Sequence, residues 1–112
     1  VSLLGACAQA PTRADAPAVI VDPSAQSRSE LRAAVREALS VDDVTLADDA
    51  LTTSSILFIE RAAIRGGRQL DGRDLGRPEK FTLFKSADQC VLVHERSGQR
   101  FTLKQTRCRE ES

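Results

Sequence analysis

The first regular pattern of apolar residues in the chain has a helical period. Leu31, Val35 and Leu39 recur every four residues, which places them on one face of a helix. The four residues SRSE that start at Ser27 have the form of a capping box, which satisfies free amides at a helix start. The sequence therefore predicts an amphipathic helix over roughly residues 28–40, with one apolar face for another element.

After residue 50 the apolar residues occur in short runs or alternate with polar ones, as they do in strands. We predict strands at four segments: 54–61, 80–85, 89–95 and 99–106. The dipeptide Ser97-Gly98 between the last two is a tight-turn signal. Consecutive short strands with short links form an antiparallel meander. The predicted fold class is α+β, with one N-terminal amphipathic helix packed on a three- to four-stranded antiparallel sheet.

The segment before the predicted helix has the composition of a tether. Between residues 8 and 27 it contains three prolines, many small residues and few large apolar ones. Such a segment buries too little surface to offset the entropy of ordering it. Its one strand-like stretch, AVIV at 18–21, is a candidate edge strand. We therefore predict a tether at 7–26, a small α+β domain at 27–108 and a tail at 109–112.

Composition limits the classes of function. A chain of 112 residues is long enough for one domain. Its sixteen basic and sixteen acidic residues cancel, whereas nucleic-acid binding depends on an excess of positive charge. There are four phenylalanines and no tryptophan or tyrosine, so platforms for stacking bases or sugars are few. We therefore expect no nucleic-acid partner.

The first residues, VSLLGACAQA, place a cysteine after an apolar run. The motif Leu4-Gly5-Ala6-Cys7 resembles the lipobox of bacterial lipoproteins, which has a leucine three residues before the modified cysteine. This resemblance implies that residues 1–6 are the end of a signal peptide, and that Cys7 carries the lipid that anchors the protein. Several acyl chains together give stable attachment to a membrane. The alternative is a first strand with a buried free cysteine.

The resemblance also implies a location. Lipoproteins with alanine rather than aspartate after the modified cysteine usually reach the outer membrane, and Ala8 follows Cys7 here. The expected location is the periplasmic face of the bacterial outer membrane. Attachment to the inner membrane and a soluble periplasmic form are the alternatives. No family is identified for the folded domain.

The lipobox resemblance leaves two of the three cysteines as a pair. In an oxidising periplasm, Cys90 and Cys108 are expected to form a disulfide. A hairpin about Ser97-Gly98 would place Cys90 opposite Gln105 or Thr106. The chain must then bend after Thr106 for the two sulfur atoms to meet, because diagonal neighbours in a sheet are too far apart.

The one histidine does not complete a metal site or a catalytic pair. On a strand, Cys90 and His94 lie about 13 Å apart at ~3.3 Å per residue, and two zinc ligands must each lie within about 2.3 Å of the metal. The same distance argues against a Cys–His nucleophile. We therefore expect no metal, no cofactor and no catalytic residues. His94 is expected to be a half-exposed cross-strand residue near Phe101.

The longest segment without a regular pattern is rich in arginine and glycine. Residues 61–80 carry a local excess of positive charge, and five arginines form a possible binding surface: Arg61, Arg65, Arg68, Arg73 and Arg77. Its glycines do not match a phosphate-binding loop, because no Gly-Lys-Ser/Thr follows them. The segment is either a solvated hairpin or a contact surface for an acidic protein, a phospholipid head group or a cell-wall polymer.

These patterns favour a non-enzymatic, lipid-anchored envelope protein that acts as an interaction or accessory module. Its partners would be the membrane, through Cys7, and another envelope protein or cell-wall component. The alternative is a small secreted inhibitor or chaperone-like protein that captures a peptide along a sheet edge. An unpaired, uncharged edge strand beside a groove would favour this alternative.

Overall fold

The computed structural model describes residues 15–60, 63–65 and 78–111. Within these ranges the chain forms one helix and eight strands. The helix α1 spans Ala25–Leu39, and the strands are β1 (Ala16–Val21), β2 (Asp43–Val44), β3 (Ile56–Ile59), β4 (Ile64–Arg65), β5 (Glu79–Ser86), β6 (Gln89–His94), β7 (Arg100–Leu103) and β8 (Arg107–Glu110). The prediction of one helix on a three- to four-stranded meander is therefore wrong, because the main sheet is larger.

Six strands form the main sheet, and all of its pairs are antiparallel. The order is β7-β6-β5-β1-β8, and β3 also pairs with β5. Strands β5, β6 and β7 follow one another as a meander, as the sequence predicts for this part. Strands β3 and β1 share the other edge of β5, where β3 pairs with its first half and β1 with its end. Strands β2 and β4 form a separate two-stranded sheet.

Strand β1 lies in the segment that the sequence assigns to a tether. Its residues Ala18, Val19 and Ile20 are buried. The strand lies between β5 and β8, and Ile20 pairs with Cys108. The tether prediction is therefore wrong for Ala16–Val21, and the tail prediction is wrong for the end of β8. The physical reason is that a short apolar stretch among prolines becomes a strand only through partners near the other end of the chain.

Helix α1 confirms the helical period but begins before the predicted position. Ser24 is the N-cap, and its side-chain oxygen accepts a hydrogen bond from the Ser27 amide at 3.1 Å. The Ser27 side-chain oxygen accepts from the Ser24 amide at 2.8 Å, which completes a capping box. Ser27 thus fills the third helical position rather than the cap. The helix ends at Ser40, whose φ of 55° is left-handed.

The core lies between α1 and one face of the main sheet. Phe81, Leu83 and Leu92 are fully buried on that face, and they cluster with Leu31 and Val35 of the helix. We call this sheet face the inner face. The second and fourth residues of β3 also lie on it. The helix therefore covers the inner face of the sheet.

Candidate functional site

Of the five arginines of the predicted binding surface, the structure describes one. Arg65 lies on β4 and is exposed. Arg61, Arg68, Arg73 and Arg77 lie outside the described residues, as does Cys7. Their roles remain predictions from the sequence.

The predicted disulfide between Cys90 and Cys108 is present. The two Cα atoms are 6.0 Å apart, within the range that a disulfide spans. Cys90 pairs with Leu103 rather than with residue 105 or 106. The chain turns after β7, and Cys108 lies on the separate strand β8. The disulfide therefore connects β6 to β8, two strands that are not neighbours in the sheet order.

The environment of His94 differs from the prediction. The side chain is buried, with 4% of the residue exposed, and its ring stacks on Phe81 with 4.7 Å between centroids. Its Nε2 atom lies 2.8 Å from Glu79 Oε1, and its Nδ1 atom lies 2.8 Å from Ser97 Oγ. Arg96 also contacts Glu79, at 3.2 Å. The prediction that His94 is half exposed is wrong, because the buried Glu79 gives the ring a polar partner in the core.

A serine, a histidine and a glutamate in a hydrogen-bonded row have the composition of a hydrolytic triad. Such chemistry needs amide donors aimed at a developing oxyanion. Here the Gly98 amide donates to the His94 carbonyl at 2.8 Å, and the Gln99 amide donates to Ser97 Oγ at 3.2 Å. The amides beside the serine thus stabilise the turn. Gly98 has a φ of 77°, which favours glycine at this position. The hydrogen-bonded row of Ser97, His94 and Glu79 therefore stabilises the turn between β6 and β7.

Strand β3 forms an edge of the main sheet, and β5 is its one strand partner among the described residues. The Leu83 amide donates to the Ser55 carbonyl at 2.8 Å. Because backbone groups alternate in direction along a strand, those of Leu57 and Ile59 face β5. The backbone groups of the first and third residues of β3 therefore face away from the sheet.

The side chains of β3 divide in the same alternating way. Ile59 is 2% exposed and Leu57 packs against the core, whereas Ile56 is 40% exposed and Phe58 is 55% exposed. These two are the exposed large hydrophobic residues of the described chain. An apolar surface left open on a folded protein often marks a contact surface. We call Ile56 and Phe58, with the outward backbone groups of β3, the β3 edge.

The backbone of the β3 edge offers free hydrogen-bonding groups. The Ile56 amide donates to Ser54 Oγ at 3.1 Å. The Phe58 amide and the carbonyls of both residues have no hydrogen-bond partner within the part of the chain that the structure describes. No charged side chain lies within β3, so nothing on the strand itself opposes an approaching chain.

The start of β3 is held in place by the end of the chain. Glu111, the residue directly after β8, accepts hydrogen bonds from the Ser55 amide at 3.1 Å and from Ser55 Oγ at 2.9 Å. On the outer face, Lys80 opposes Phe58 and forms an ion pair with Glu95 at 3.5 Å. The β3 edge is therefore presented on a strand that is fixed at its start, and the positive charge of Lys80 beside it is paired.

The sequence predicts the strand but not its exposure. The stretch ILFI in β3 is apolar at four consecutive positions, which is typical of a strand buried on both faces. The structure buries one face only. The apolar run was therefore the sequence signal for an exposed apolar edge. It can be recognised as such only when the order of the strands in the sheet is known.

No protein-family model matches the chain, and the comparisons with curated proteins and with solved structures found no significant match. In the described part of the chain, no helix has both the length and the apolar character to cross a membrane. The function is therefore inferred from the geometry of the β3 edge and from the sequence.

Proposed function

We propose that this protein is a non-enzymatic interaction module of the bacterial envelope, which binds an extended segment of a partner protein along the β3 edge. The observation that carries the proposal is the pair of exposed side chains, Ile56 and Phe58, on an uncharged edge strand. An edge of this kind pairs readily with an added strand. Main-chain hydrogen bonds supply affinity, and alternate side chains supply specificity.

The β3 edge specifies the chemistry of the segment that it binds. Ile56 and Phe58 lie on one face and are two residues apart, so the segment carries apolar side chains at alternate positions. The absence of charge between Ser54 and Ile59 favours an uncharged segment. The Phe58 amide and the outward carbonyls pair with the main chain of the segment.

The location belongs to the same proposal. The lipobox resemblance supports an anchor at Cys7 on the periplasmic face of the outer membrane. The Cys90–Cys108 disulfide supports an oxidising compartment. A secreted inhibitor or chaperone-like protein would use the same edge without the anchor, and the lipid test below separates the two.

Photocrosslinking in intact cells tests the edge. A photoreactive phenylalanine analogue replaces Phe58, and the matched control places it at Thr102, an exposed position on the edge strand β7. We expect irradiation to yield a discrete adduct with a partner from position 58 and none from position 102. Adding Ile56→Lys should abolish the adduct, because a charge on the edge opposes pairing.

Equal labelling from both positions, or no adduct from position 58, would contradict the proposed site. An adduct of twice the mass of this chain would mean that a second copy fills the edge, which contradicts a separate partner. Labelling with radioactive palmitate tests the anchor: we expect incorporation into the wild type and none into Cys7→Ser. No incorporation into wild type, or equal incorporation into both, would remove the lipid anchor from the proposal.

A further inference from the structure

A narrow apolar slot opens between the N-terminal half of α1 and the loop that follows β2. Its volume is about 40 Å³. The buried side chains of Ile20 and Leu31 line it, together with Leu46 and Ala50 of the loop. The slot lies away from the β3 edge and shares no lining residue with it.

Two arginines line the same slot. Arg28 and Arg32 are four residues apart on α1, which places their guanidinium groups on one side of the helix. Neither side chain has an ion-pair or hydrogen-bond partner within the described ranges, and both residues are exposed. Asp48 is the acidic residue among those lining the slot, so these lining residues carry a net positive charge.

The positions of these arginines are unfavourable for the helix itself. Like charges four residues apart repel each other. Arg28, the fourth helical residue, also lies next to the first turn, where the positive end of the helix dipole acts and no acidic residue balances it. A bound anion would relieve both effects. The charge arrangement therefore indicates a negatively charged ligand group beside the slot.

The volume of the slot limits what else the ligand contains. Sites for complete small molecules usually measure about 300–1,000 Å³, whereas a single water needs about 10–15 Å³. A slot of about 40 Å³ fits one short aliphatic side chain. The acyl chain of a lipid would need several times this volume. An anchor residue of a protein partner is the occupant of suitable size.

We propose that this slot binds the carboxyl terminus of a partner polypeptide. The short aliphatic side chain of the last residue fills the slot, and the terminal carboxylate lies against Arg28 and Arg32. A guanidinium group offers a carboxylate two parallel hydrogen bonds. The rest of the partner chain leaves through the open mouth of the slot.

Calorimetric titration of the full chain tests this proposal with the peptide N-acetyl-Ala-Ala-Val. We expect binding of the free acid, and at least tenfold weaker binding of the same peptide with a C-terminal amide. The double variant Arg28→Gln/Arg32→Gln should weaken binding of the acid at least tenfold. Arg36→Gln, on the same helix but away from the slot, should bind like the wild type.

Equal affinity for acid and amide, wild-type affinity in the double variant, or no binding of the acid would each overturn the proposal. Isovalerate has the carboxylate and the aliphatic group of valine but no peptide bond. If it binds as tightly as the peptide, the claim that the ligand is a polypeptide is overturned. Relief of the like-charge pair should leave the unfolding midpoint of the double variant unchanged or raised, which separates lost binding from lost folding. Phe58→Lys should leave peptide binding intact, so this test and the test of the β3 edge fail independently.

Discussion

Among the described residues, β3 and β8 are both edge strands of the main sheet, yet they present different chemistry to solvent. β8 has the sequence RCRE, and its charged residues Arg107, Arg109 and Glu110 are all exposed. β3 has the sequence ILFI and exposes Ile56 and Phe58. Charged side chains on an edge strand discourage pairing with other chains, and apolar ones favour it. The charged edge at β8 is therefore protected from pairing with another chain, and the apolar edge at β3 is suited to it.

The two edges are also fastened differently. β8 pairs with β1, and the Cys90–Cys108 disulfide ties it to β6. β3 pairs with β5, and its start bonds to Glu111 after β8. The residue that follows β8, at the protected edge, thus helps to position β3, at the open edge. A partner that adds to β3 meets a strand that is already ordered, which lowers the entropic cost of binding.

The largest expected effect comes from removing the covalent link at β8. In a Cys7→Ser background, Cys90→Ser/Cys108→Ser should lower the free energy of unfolding by about 3 kcal/mol, because the closed loop restricts the unfolded chain. Urea unfolding measures this loss. A reductant should reproduce it in the Cys7→Ser protein and add nothing to the triple variant. A loss well below 1 kcal/mol would mean that pairing with β1 alone holds β8.

The next effect concerns the support beneath β3. Glu79 pairs with Ile59 of β3 and also bonds His94. His94→Ala should cost about 2–3 kcal/mol, because it removes a ring packed on Phe81 and leaves the buried carboxylate with fewer partners. Ser97→Ala removes one hydrogen bond of the same row, so thermal unfolding should show a loss of about 1 kcal/mol. An equal loss in both variants would contradict the packed role of the ring.

A smaller effect is expected where the two edges meet. Glu111→Ala removes the hydrogen bonds that hold Ser55 and should destabilise the protein by about 1 kcal/mol. Glu110→Ala, at the neighbouring exposed position, should change stability by less than about 0.5 kcal/mol. Urea unfolding of the two variants makes this comparison. If Glu110→Ala costs as much as Glu111→Ala, the contact with Ser55 does not hold β3.

The smallest effect depends on pH. The pKa of Asp15 lies below its ordinary value of 3.8, because the Ser86 side chain hydrogen-bonds to the carboxylate and Arg100 pairs with it at 3.2 Å. A lowered pKa in the folded state means that the ionised carboxylate stabilises the fold at neutral pH. This contribution is lost as the pH falls below 3.8 through the lowered pKa.

The stability difference between wild type and Asp15→Asn should therefore be present at pH 7 and disappear in acid. Unfolding measured across this pH range provides the test. Arg100→Gln should raise the pKa of Asp15 only part of the way, since the hydrogen bond from Ser86 remains. Identical pH profiles for wild type and Asp15→Asn would contradict the contribution of this contact.

Local patterns predicted the parts of the fold that depend on near neighbours. The spacing of Leu31 and Val35 predicted α1, and Ser97-Gly98 predicted the turn between β6 and β7. The disulfide followed from compartment and cysteine number rather than from geometry, since the predicted register for Cys90 was wrong. These elements need few distant contacts to be recognised.

The parts that failed depend on distant partners. β1 becomes a strand because β5 and β8 lie on either side of it, and its own composition resembles a tether. The buried position of His94 depends on Glu79, which lies fifteen residues earlier on another strand. The β3 edge shows the same limit, because an apolar run indicates two-sided burial until the sheet order shows that one side is open.

Amide hydrogen exchange at Phe58 tests the central claim most directly. In the free protein we predict fast exchange for this outward amide and slow exchange for Leu57 and Ile59, which bond to β5. In the complex with the partner captured from position 58, the Phe58 amide should become protected while the amides of β8 keep their rates. An amide that is already protected in the free protein, or that stays unprotected in the complex, would contradict strand addition at the β3 edge.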